Sequence, residues 1–233
     1  MREPVPPYPP PTLVERGLDL IFPPACVGCR KIGRWICSRC WQQIDWVEEL
    51  KCGTCGRPWV RNPCPQCTRQ GSALVAVAAA AAFDGTAREA VHALKYEGRH
   101  AIGRLLGTLM ARATPAEEVT VVAPVPLHPR RRHERGYDQA AILARWVGRS
   151  LDVPVETAAA RRIRYTKQQA SLDGEQRARN VVGAFAAEEW IEGERILLVD
   201  DVYTTGATLE ACASALRCAG ATSVTGLVFA AAL

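Results

Sequence analysis

The sequence predicts an α/β domain with a mostly parallel sheet, preceded by a small module that binds metal through cysteines. From about Ala73 onward, short apolar runs typical of buried strands alternate with helical patterns, which favours parallel strands joined by right-handed crossovers. Between Cys26 and Cys67, eight of the ten cysteines occur as pairs with two intervening residues. The composition, 48% hydrophobic and 23% charged, is that of an ordinary globular protein.

These patterns divide the 233 residues into three segments. Residues 1–22 hold a proline-rich start and a short helix, residues 23–70 the cysteine module, and residues 73–233 the α/β domain. The longest apolar run, Ala73 to Phe83, has eleven residues, whereas a membrane-spanning helix needs roughly 20. The N-terminus also lacks the pattern of a secretory signal. We therefore expect a cytoplasmic protein without a transmembrane segment.

The elements of the α/β domain are assigned in order. Strands are predicted at residues 73–83, 119–125, 153–159, 195–201 and 222–233, and helices at 137–151 and 207–219. The first strand is a conflict, because its alanines favour a helix while its length and the following Asp-Gly favour a strand and a turn. We predict a strand there.

The cysteine pairs have the spacing of zinc knuckles. In a reducing compartment such pairs indicate metal ligands rather than disulfides. Two thiolates in a tight turn point at one ion about 2.3 Å away, and a second turn completes the tetrahedron. We predict two structural zinc sites in which consecutive pairs share an ion, since the two halves look like one repeat. The ligands are Cys26, Cys29, Cys37 and Cys40 in one site and Cys52, Cys55, Cys64 and Cys67 in the other.

Two roles are open for the other side chains of this module. Its basic and aromatic residues would contact nucleic acid, or the tryptophans would cover a small core while the basic residues are solvated. We favour the second role. The residues concerned are Arg30, Lys31, Arg34, Arg39, Trp35 and Trp41. Cys212 and Cys218 lie outside the pairs and are predicted to be core residues.

Two aspartates end a predicted buried strand, directly before a loop suited to an anion. Asp200 and Asp201 stand at the carboxyl end of this strand, where ligands gather in open α/β sheets. Residues 203–208 supply backbone N–H groups, hydroxyls, a glycine and a helix start, which together suit a phosphate dianion. A sugar phosphate explains both features, because its ribose hydroxyls donate to the carboxylates while the loop holds the 5′-phosphate.

Three other interpretations share parts of this pattern. A nucleotide hydrolase needs the motif G-x-x-x-x-G-K-[ST], which is absent from the sequence. A phosphoacceptor receiver domain opens with its acidic residues, yet only residues 202–233 follow the pair. A helix N-cap without a ligand would need only a single Asp or Thr, which leaves the second aspartate and the other hydroxyl residues without a role.

The stretch ILLVDDVYTTGAT, residues 196–208, resembles the phosphoribosyl pyrophosphate (PRPP) motif of type I phosphoribosyltransferases. Together with the cysteine pairs, LKYEGRH, PVPLHPRRRHERGYDQA and TKQQASLDGEQRARNVVGAF, it resembles the ComF family, which is associated with natural competence. The resemblance extends from about Leu20 to the C-terminus. It implies a type I phosphoribosyltransferase fold behind a double zinc ribbon, PRPP bound with Mg²⁺, and handling of imported single-stranded DNA with other competence proteins.

The resemblance also implies roles for individual residues. Asp200 and Asp201 would be catalytic and hold the ribose, and residues 126–132 would form the pyrophosphate loop. Arg135, Gly136 and Gln139 match the family pattern, whereas Tyr137 and Asp138 stand where it usually has Phe and Asn. The PRPP-binding set would be Asp200, Asp201, Tyr203, Thr204, Thr205, Gly206, Ala207 and Thr208.

Basic residues between the motifs suit a pyrophosphate leaving group, whose charge arginine forks neutralise, although a solvated run of charge is the other interpretation. The anion-binding candidates are Arg130, Arg131, Arg132, Arg135, Lys95 and Lys167. Residues 161–179 would form a hood that excludes water from the reacting centre. The acceptor of the ribose is not identified by any motif. The alternative function is a non-catalytic DNA-binding or adaptor protein that only senses PRPP.

Two filled sites give an expected content of about two zinc ions per chain in freshly purified, reduced protein, measured by elemental analysis. Replacing one knuckle, with Cys26→Ser and Cys29→Ser together, is expected to lower the content by about one ion. A content near zero in the unaltered protein would contradict the zinc-ribbon prediction.

Overall fold

The computed structural model describes residues 23–47, 72–114, 118–165, 181 and 183–232. The predicted N-terminal helix, the second cysteine set (Cys52, Cys55, Cys64, Cys67) and Lys167 lie outside these ranges. The strands are β1 (Val77–Ala82), β2 (Val121–Pro124), β3 (Ala160–Arg162), β4 (Phe185–Ala187), β5 (Arg195–Tyr203) and β6 (Ser223–Ala231). The helices are α1 (Ser38–Gln42), α2 (Gly85–Tyr96), α3 (Ile102–Arg112), α4 (Pro129–Arg135), α5 (Gln139–Leu151) and α6 (Ala207–Cys218), with a 3₁₀ turn at Glu189–Ile191.

A parallel sheet in the order β1-β6-β5-β2 forms the centre of the domain, as the alternation of strands and helices predicts. β3 and β4 form a separate antiparallel pair. The prediction of a strand at 73–83 is confirmed, because β1 pairs in register with β6. The helix propensity of its alanines is overridden by burial, since residues 77–81 of this strand are all buried.

Helices and the β3–β4 pair cover both faces of the sheet, as a parallel sheet requires. Successive residues of β5 alternate between the two sides. Leu197 and Val199 pack with the buried residues of α2, α3 and α5, whereas Ile196 and Leu198 pack with α6 and the β3–β4 pair. All four of these side chains are essentially inaccessible to solvent. The carboxyl ends of the strands therefore open at one edge of a firmly packed sheet.

The first half of the cysteine module is part of this same core. Ile36, Trp41 and Ile44 are buried together with residues of α2 and α3. The chain after α1 runs antiparallel along the outer edge of β1 through a bridge between Trp46 and Ala81. Because Trp41 is only 6% exposed, its predicted role in covering a core is confirmed.

Two predictions are wrong. The strand at 153–159 is reduced to one bridge, between Val122 and Val155, because Pro154 on one side and Pro124 on the other lack the N–H groups that the neighbouring rungs need. Cys212 is buried as predicted, but Cys218 is exposed. Cys218 lies six positions after Cys212 on α6, about one and two-thirds turns, so the two side chains point to different surroundings.

Across the described ranges, no helix is both long and apolar enough to cross a membrane.

Candidate functional site

A cleft of about 630 Å³ opens at the carboxyl ends of β1, β2 and β5. Phe83 follows β1, Val125 and Leu127 follow β2, and Asp200 and Asp201 belong to the end of β5. Parallel strands present their carboxyl ends at one edge, so motifs far apart in the sequence meet here. The cationic side chains that line the cleft are Arg88, Lys95, Arg131, Arg135 and Arg162.

The two aspartates are linked to each other and to a lysine. Asp201 is 3% exposed, and its Oδ1 lies 2.7 Å from Nζ of Lys95 on α2. The backbone N–H of Asp201 donates to Oδ1 of Asp200 over 2.8 Å. Oδ2 of Asp201 is buried and accepts no hydrogen bond from the described residues. This oxygen is therefore a buried acceptor that lacks a donor among the described residues, and a ligand hydroxyl or cation would satisfy it once the side chain turns toward the cleft.

The electrostatics of the pair favour an incoming donor. Burial, and then repulsion from Asp201, raise the pKa of Asp200 to about 8, although Lys95 opposes the shift. Burial lowers the pKa of Lys95, but attraction by Asp201 and Asp200 outweighs this effect and raises it. Lys95 therefore stays charged, and its single positive charge lies beside two carboxyl groups. Carboxylate oxygens are also the ligands that Mg²⁺ prefers, so this donor set fits that ion.

The loop after β5 requires a glycine for two reasons. Gly206 has φ +76°, a left-handed conformation, at the N-cap of α6. A Cβ atom at this position would also lie 2.5 Å from the hydroxyl oxygen of Tyr203. Thr205 Oγ1 accepts from the N–H of Ala207 over 3.4 Å, and Thr208 lines the cleft. The start of α6 thus lies beside the cleft, and a helix N-terminus with free N–H groups is the arrangement that a phosphate site needs.

The predicted pyrophosphate loop, residues 126–132, is shorter in the structure because α4 begins at Pro129. Proline at the first helical position is preorganised for a helix. Nδ1 of His128 accepts from the N–H of Arg130 over 3.2 Å and caps α4. Arg131 and Arg135 line the cleft, whereas Arg130 and Arg132 are not among its lining residues.

Asp138 has a structural role at the position where the family pattern has Asn. Its Oδ1 accepts from the N–H of Ala141 over 3.1 Å and caps α5, and its Oδ2 accepts from the N–H of Leu127 over 3.3 Å. Burial raises the pKa of this carboxyl group, and the hydrogen bonds oppose the shift. Both acceptor oxygens are used, so this side chain positions the loop after β2.

The contribution of α2 was largely missed from the sequence. Arg88, His92 and Lys95 lie at spacings of four and three residues, so they share the helix face that lines the cleft. Only Lys95 was predicted, and as a pyrophosphate contact rather than as the partner of Asp201. The signal was present in the helical spacing of polar residues within residues 85–96. The predicted hood, residues 161–179, is described only at its start, where Arg162 of β3 lines the cleft.

Exposed tyrosines stand beside the arginines of α4. Tyr96 is 60% exposed with the guanidinium of Arg135 5.1 Å from its ring centre. Tyr165 is 43% exposed, with Arg130 at 5.0 Å and Arg131 at 5.8 Å. We call these five residues the arginine–tyrosine rim. None of the seven residues of α4 is buried, so its charges face solvent and any ligand.

The first four cysteines form a cluster fitted to one metal ion. The sulfurs of Cys26, Cys29, Cys37 and Cys40 lie within 4.8 Å of one another, as consecutive pairing predicts. Burial alone would raise the pKa of Cys26, but backbone N–H groups, Cys29 and Cys37 among them, lower it to about 6. A thiolate and three further sulfurs at these distances match tetrahedral zinc.

Comparisons with known proteins agree with this organisation. A family model described as a double zinc ribbon domain matches residues 17–70, and one described as a phosphoribosyl transferase domain matches residues 134–232. The chain is 30% identical to DNA utilization protein YhgH of Escherichia coli K12, over 88% of this chain and 96% of that protein. It is 29% identical to Competence protein F of Haemophilus influenzae, over 82% and 90%.

A solved structure shows a partial likeness. Glutamine PRPP amidotransferase from Bacillus subtilis, complexed with ADP and GMP, superposes with a TM-score of 0.42 at 24% identity. The match covers 58% of this chain and 30% of the amidotransferase.

The raised pKa of Asp200 has a consequence for stability. Above its ordinary value of 3.8 the unfolded chain loses a proton that the folded protein keeps, so this residue lowers stability as the pH rises toward 8. We expect Asp200→Asn to increase the free energy of unfolding over the unaltered protein, by at least about 1 kcal/mol at pH 8 and by less at pH 5. Urea unfolding at several pH values measures this difference, and a difference that does not change with pH would contradict the assignment.

Proposed function

This chain belongs to the ComF family, in which a double zinc ribbon is joined to a phosphoribosyltransferase domain. From that premise, we propose that it binds PRPP with Mg²⁺ in the cleft and transfers the phosphoribosyl group, acting in the cytoplasm on an acceptor of a class still to be found. The observation that carries the proposal is the acidic pair at the end of β5, a part-buried Asp200 and a buried Asp201, directly before the Gly206 loop.

The two halves of this site match the two halves of ribose 5-phosphate. Oδ2 of Asp201, which accepts no hydrogen bond from the described residues, would accept from one ribose hydroxyl, and Asp200 from a second. The start of α6 with Thr205 and Thr208 would receive the 5′-phosphate. Like charges repel, so phosphate and carboxylates need separate subsites, and the sugar supplies the spacing between them.

The arginines of α4 suit the part of the cleft that would hold pyrophosphate, the leaving group of PRPP. In the transfer, a nucleophile forms a bond to C1 of the ribose while the C1–O bond breaks and pyrophosphate leaves with the electron pair. Arg131 and Arg135 line the cleft and would neutralise the charge that grows on pyrophosphate. Bound Mg²⁺ would supply further positive charge to the same oxygens. The negative charge of the acidic pair would stabilise the positive charge that develops on the ribose.

Lys95 positions Asp201 before the ligand binds. Its ammonium group contacts Asp201 at 2.7 Å and so satisfies one carboxylate oxygen before any ribose binds. This contact compensates the charge of the buried side chain and aligns it. It supports a ribose subsite in which Asp201 is already positioned by Lys95.

Binding of single-stranded nucleic acid is a second function, favoured by the arginine–tyrosine rim. Base stacking on aromatic rings and phosphate contacts with arginine are the common means of binding single strands without sequence preference. Tyr96 and Tyr165 offer exposed rings, and three arginines lie over them. Relatives named for competence and DNA utilization support a role in the handling of imported DNA, with other competence proteins as partners.

Calorimetry with PRPP, with and without Mg²⁺, tests the cleft directly. We expect binding that Mg²⁺ strengthens and that Asp200→Asn plus Asp201→Asn weakens by about tenfold or more, because the charge-assisted hydrogen bond to Asp201 is lost together with the hydrogen bond to Asp200. The matched control is Asp152→Asn, the same chemical change at the exposed C-cap of α5. Absence of PRPP binding by the unaltered, zinc-loaded protein would contradict the proposal.

Measuring pyrophosphate release from PRPP with a panel of candidate bases then distinguishes the transferase from the adaptor that only senses PRPP. Turnover that disappears in the doubly substituted protein would contradict the adaptor alternative. PRPP binding without turnover across a broad panel would contradict the transferase.

For nucleic acid, fluorescence anisotropy with labelled oligodeoxythymidine measures the contribution of the rim. Tyr96→Ala and Tyr165→Ala are each expected to weaken binding by about tenfold, since stacking contributes about 1–3 kcal/mol per base. Trp190→Ala is the control, because Trp190 is 47% exposed but precedes β5, at the opposite edge of the sheet. Equal losses in all three variants would exclude the rim as a specific surface.

A further inference from the structure

The first cysteine cluster contacts the helix that lines the cleft. We infer that the zinc knuckle, residues 25–40, is a positioning element for α2, so that its metal occupancy sets the affinity of the cleft for its ligand. The part of this inference that concerns the ligand rests on the proposed function. The part that concerns the position of α2 does not.

The knuckle packs against the first turn of α2. A Cβ atom on Gly28 would lie 2.9 Å from Sγ of Cys40 and 3.2 Å from Oγ1 of Thr86. Gly28 lies between the ligands of the first pair, and Thr86 is a buried residue of α2. The turn that holds the metal therefore lies against the first turn of α2, and a side chain at Gly28 would meet Cys40 within the knuckle and crowd Thr86 on α2.

The knuckle also holds the chain at the other end of α2. Glu97, the C-cap residue, accepts from Nη1 of Arg30 at 3.2 Å and from Nε of Arg99 at 3.1 Å. Nη1 of Arg99 donates to the carbonyl oxygen of Ala25 at 3.2 Å. The hydrogen bond from Arg30 lowers the pKa of Glu97, against the effect of burial. Two arginines thus join the end of α2 to the chain on either side of the first cysteine pair.

Between these ends, α2 presents Lys95 on the face opposite Thr86. Lys95 lies nine positions after Thr86, which is half a turn around the helix axis, and Val91, four residues before Lys95, lines the cleft with it. A displacement of α2 by about 1 Å would stretch the 2.7 Å contact between Nζ of Lys95 and Asp201 beyond hydrogen-bond distance.

A coupling between two binding sites is reciprocal. Loss of metal from the knuckle should therefore weaken ligand binding in the cleft, and ligand in the cleft should slow the loss of metal. Couplings of this kind are typically about fivefold or more. A knuckle that only adds stability, with no effect on the position of α2, would change neither quantity.

Hydrogen exchange tests the position of α2 without any ligand. Zinc-loaded protein is compared with protein treated with a chelator, and exchange is followed in peptides of α2, α6 and β6. We expect protection to fall in residues 85–96 and to persist in α6 and β6. Unchanged protection of α2 after complete loss of zinc would overturn the inference.

If chelation unfolds the whole protein, a variant that keeps its metal provides the test instead. Glu97→Gln removes the ion pairs with Arg30 and Arg99 but leaves all metal ligands in place. We expect full zinc content, faster exchange at the end of α2, and PRPP binding weakened about threefold, as one surface ion-pair network allows. The control is Glu118→Gln, which breaks a similar pair with Arg195 away from the cleft.

The outcomes separate the two ideas. If the unaltered zinc-loaded protein does not bind PRPP, the proposed function fails while exchange in α2 still tests the positioning role. If PRPP binds and Glu97→Gln lowers thermal stability without changing the affinity for PRPP or the exchange of α2, the positioning role is contradicted and the proposed function stands.

Discussion

Asp201 is almost fully buried at the end of β5, and a carboxylate in such a position keeps its charge only beside a cation or several donors. Lys95 supplies that cation from α2. The ion pair joins the central strand of the sheet to the helix that follows β1, and removal of either partner would leave the other charge buried and uncompensated. The geometry of the cleft therefore depends on where α2 lies.

Three parts of the chain hold α2 in that place. The sheet supports it through β6, which pairs with β1 and carries Phe229 and Leu227 toward the same core. α3 packs in this core beside it. The zinc knuckle completes the support at both helix ends, at Thr86 and Glu97. The described half of the cysteine module is thus an integral part of the domain rather than a separate lobe.

The opposite wall of the cleft is built differently. α4 buries none of its residues and is held by a cap, by contacts with Tyr96 and Tyr165, and by the hydrogen bond from Arg135 to Gln139. Asp138 joins the loop before α4, through the N–H of Leu127, to the start of α5, through the N–H of Ala141. The acidic end of β5, which is packed in the core, therefore faces the exposed basic helix α4. This contrast matches the proposed ligand, which has a ribose at one end and a highly charged group at the other.

The features of this protein that depend on neighbouring residues could be predicted from its sequence. The apolar runs of β5 and β6, the helix after Gly206 and the paired cysteines each depend on residues close together in the chain, so the fold class, the acidic pair with its loop and the first metal cluster could be predicted. The structure alone decided the rest. Spacing within α2 marks a polar face, but only the packing of α2 against β5 brings Lys95 to Asp201, and only the folded knuckle brings Arg30 to Glu97. Those contacts join residues that are distant in the sequence, and their geometry follows from how the layers pack rather than from any local preference.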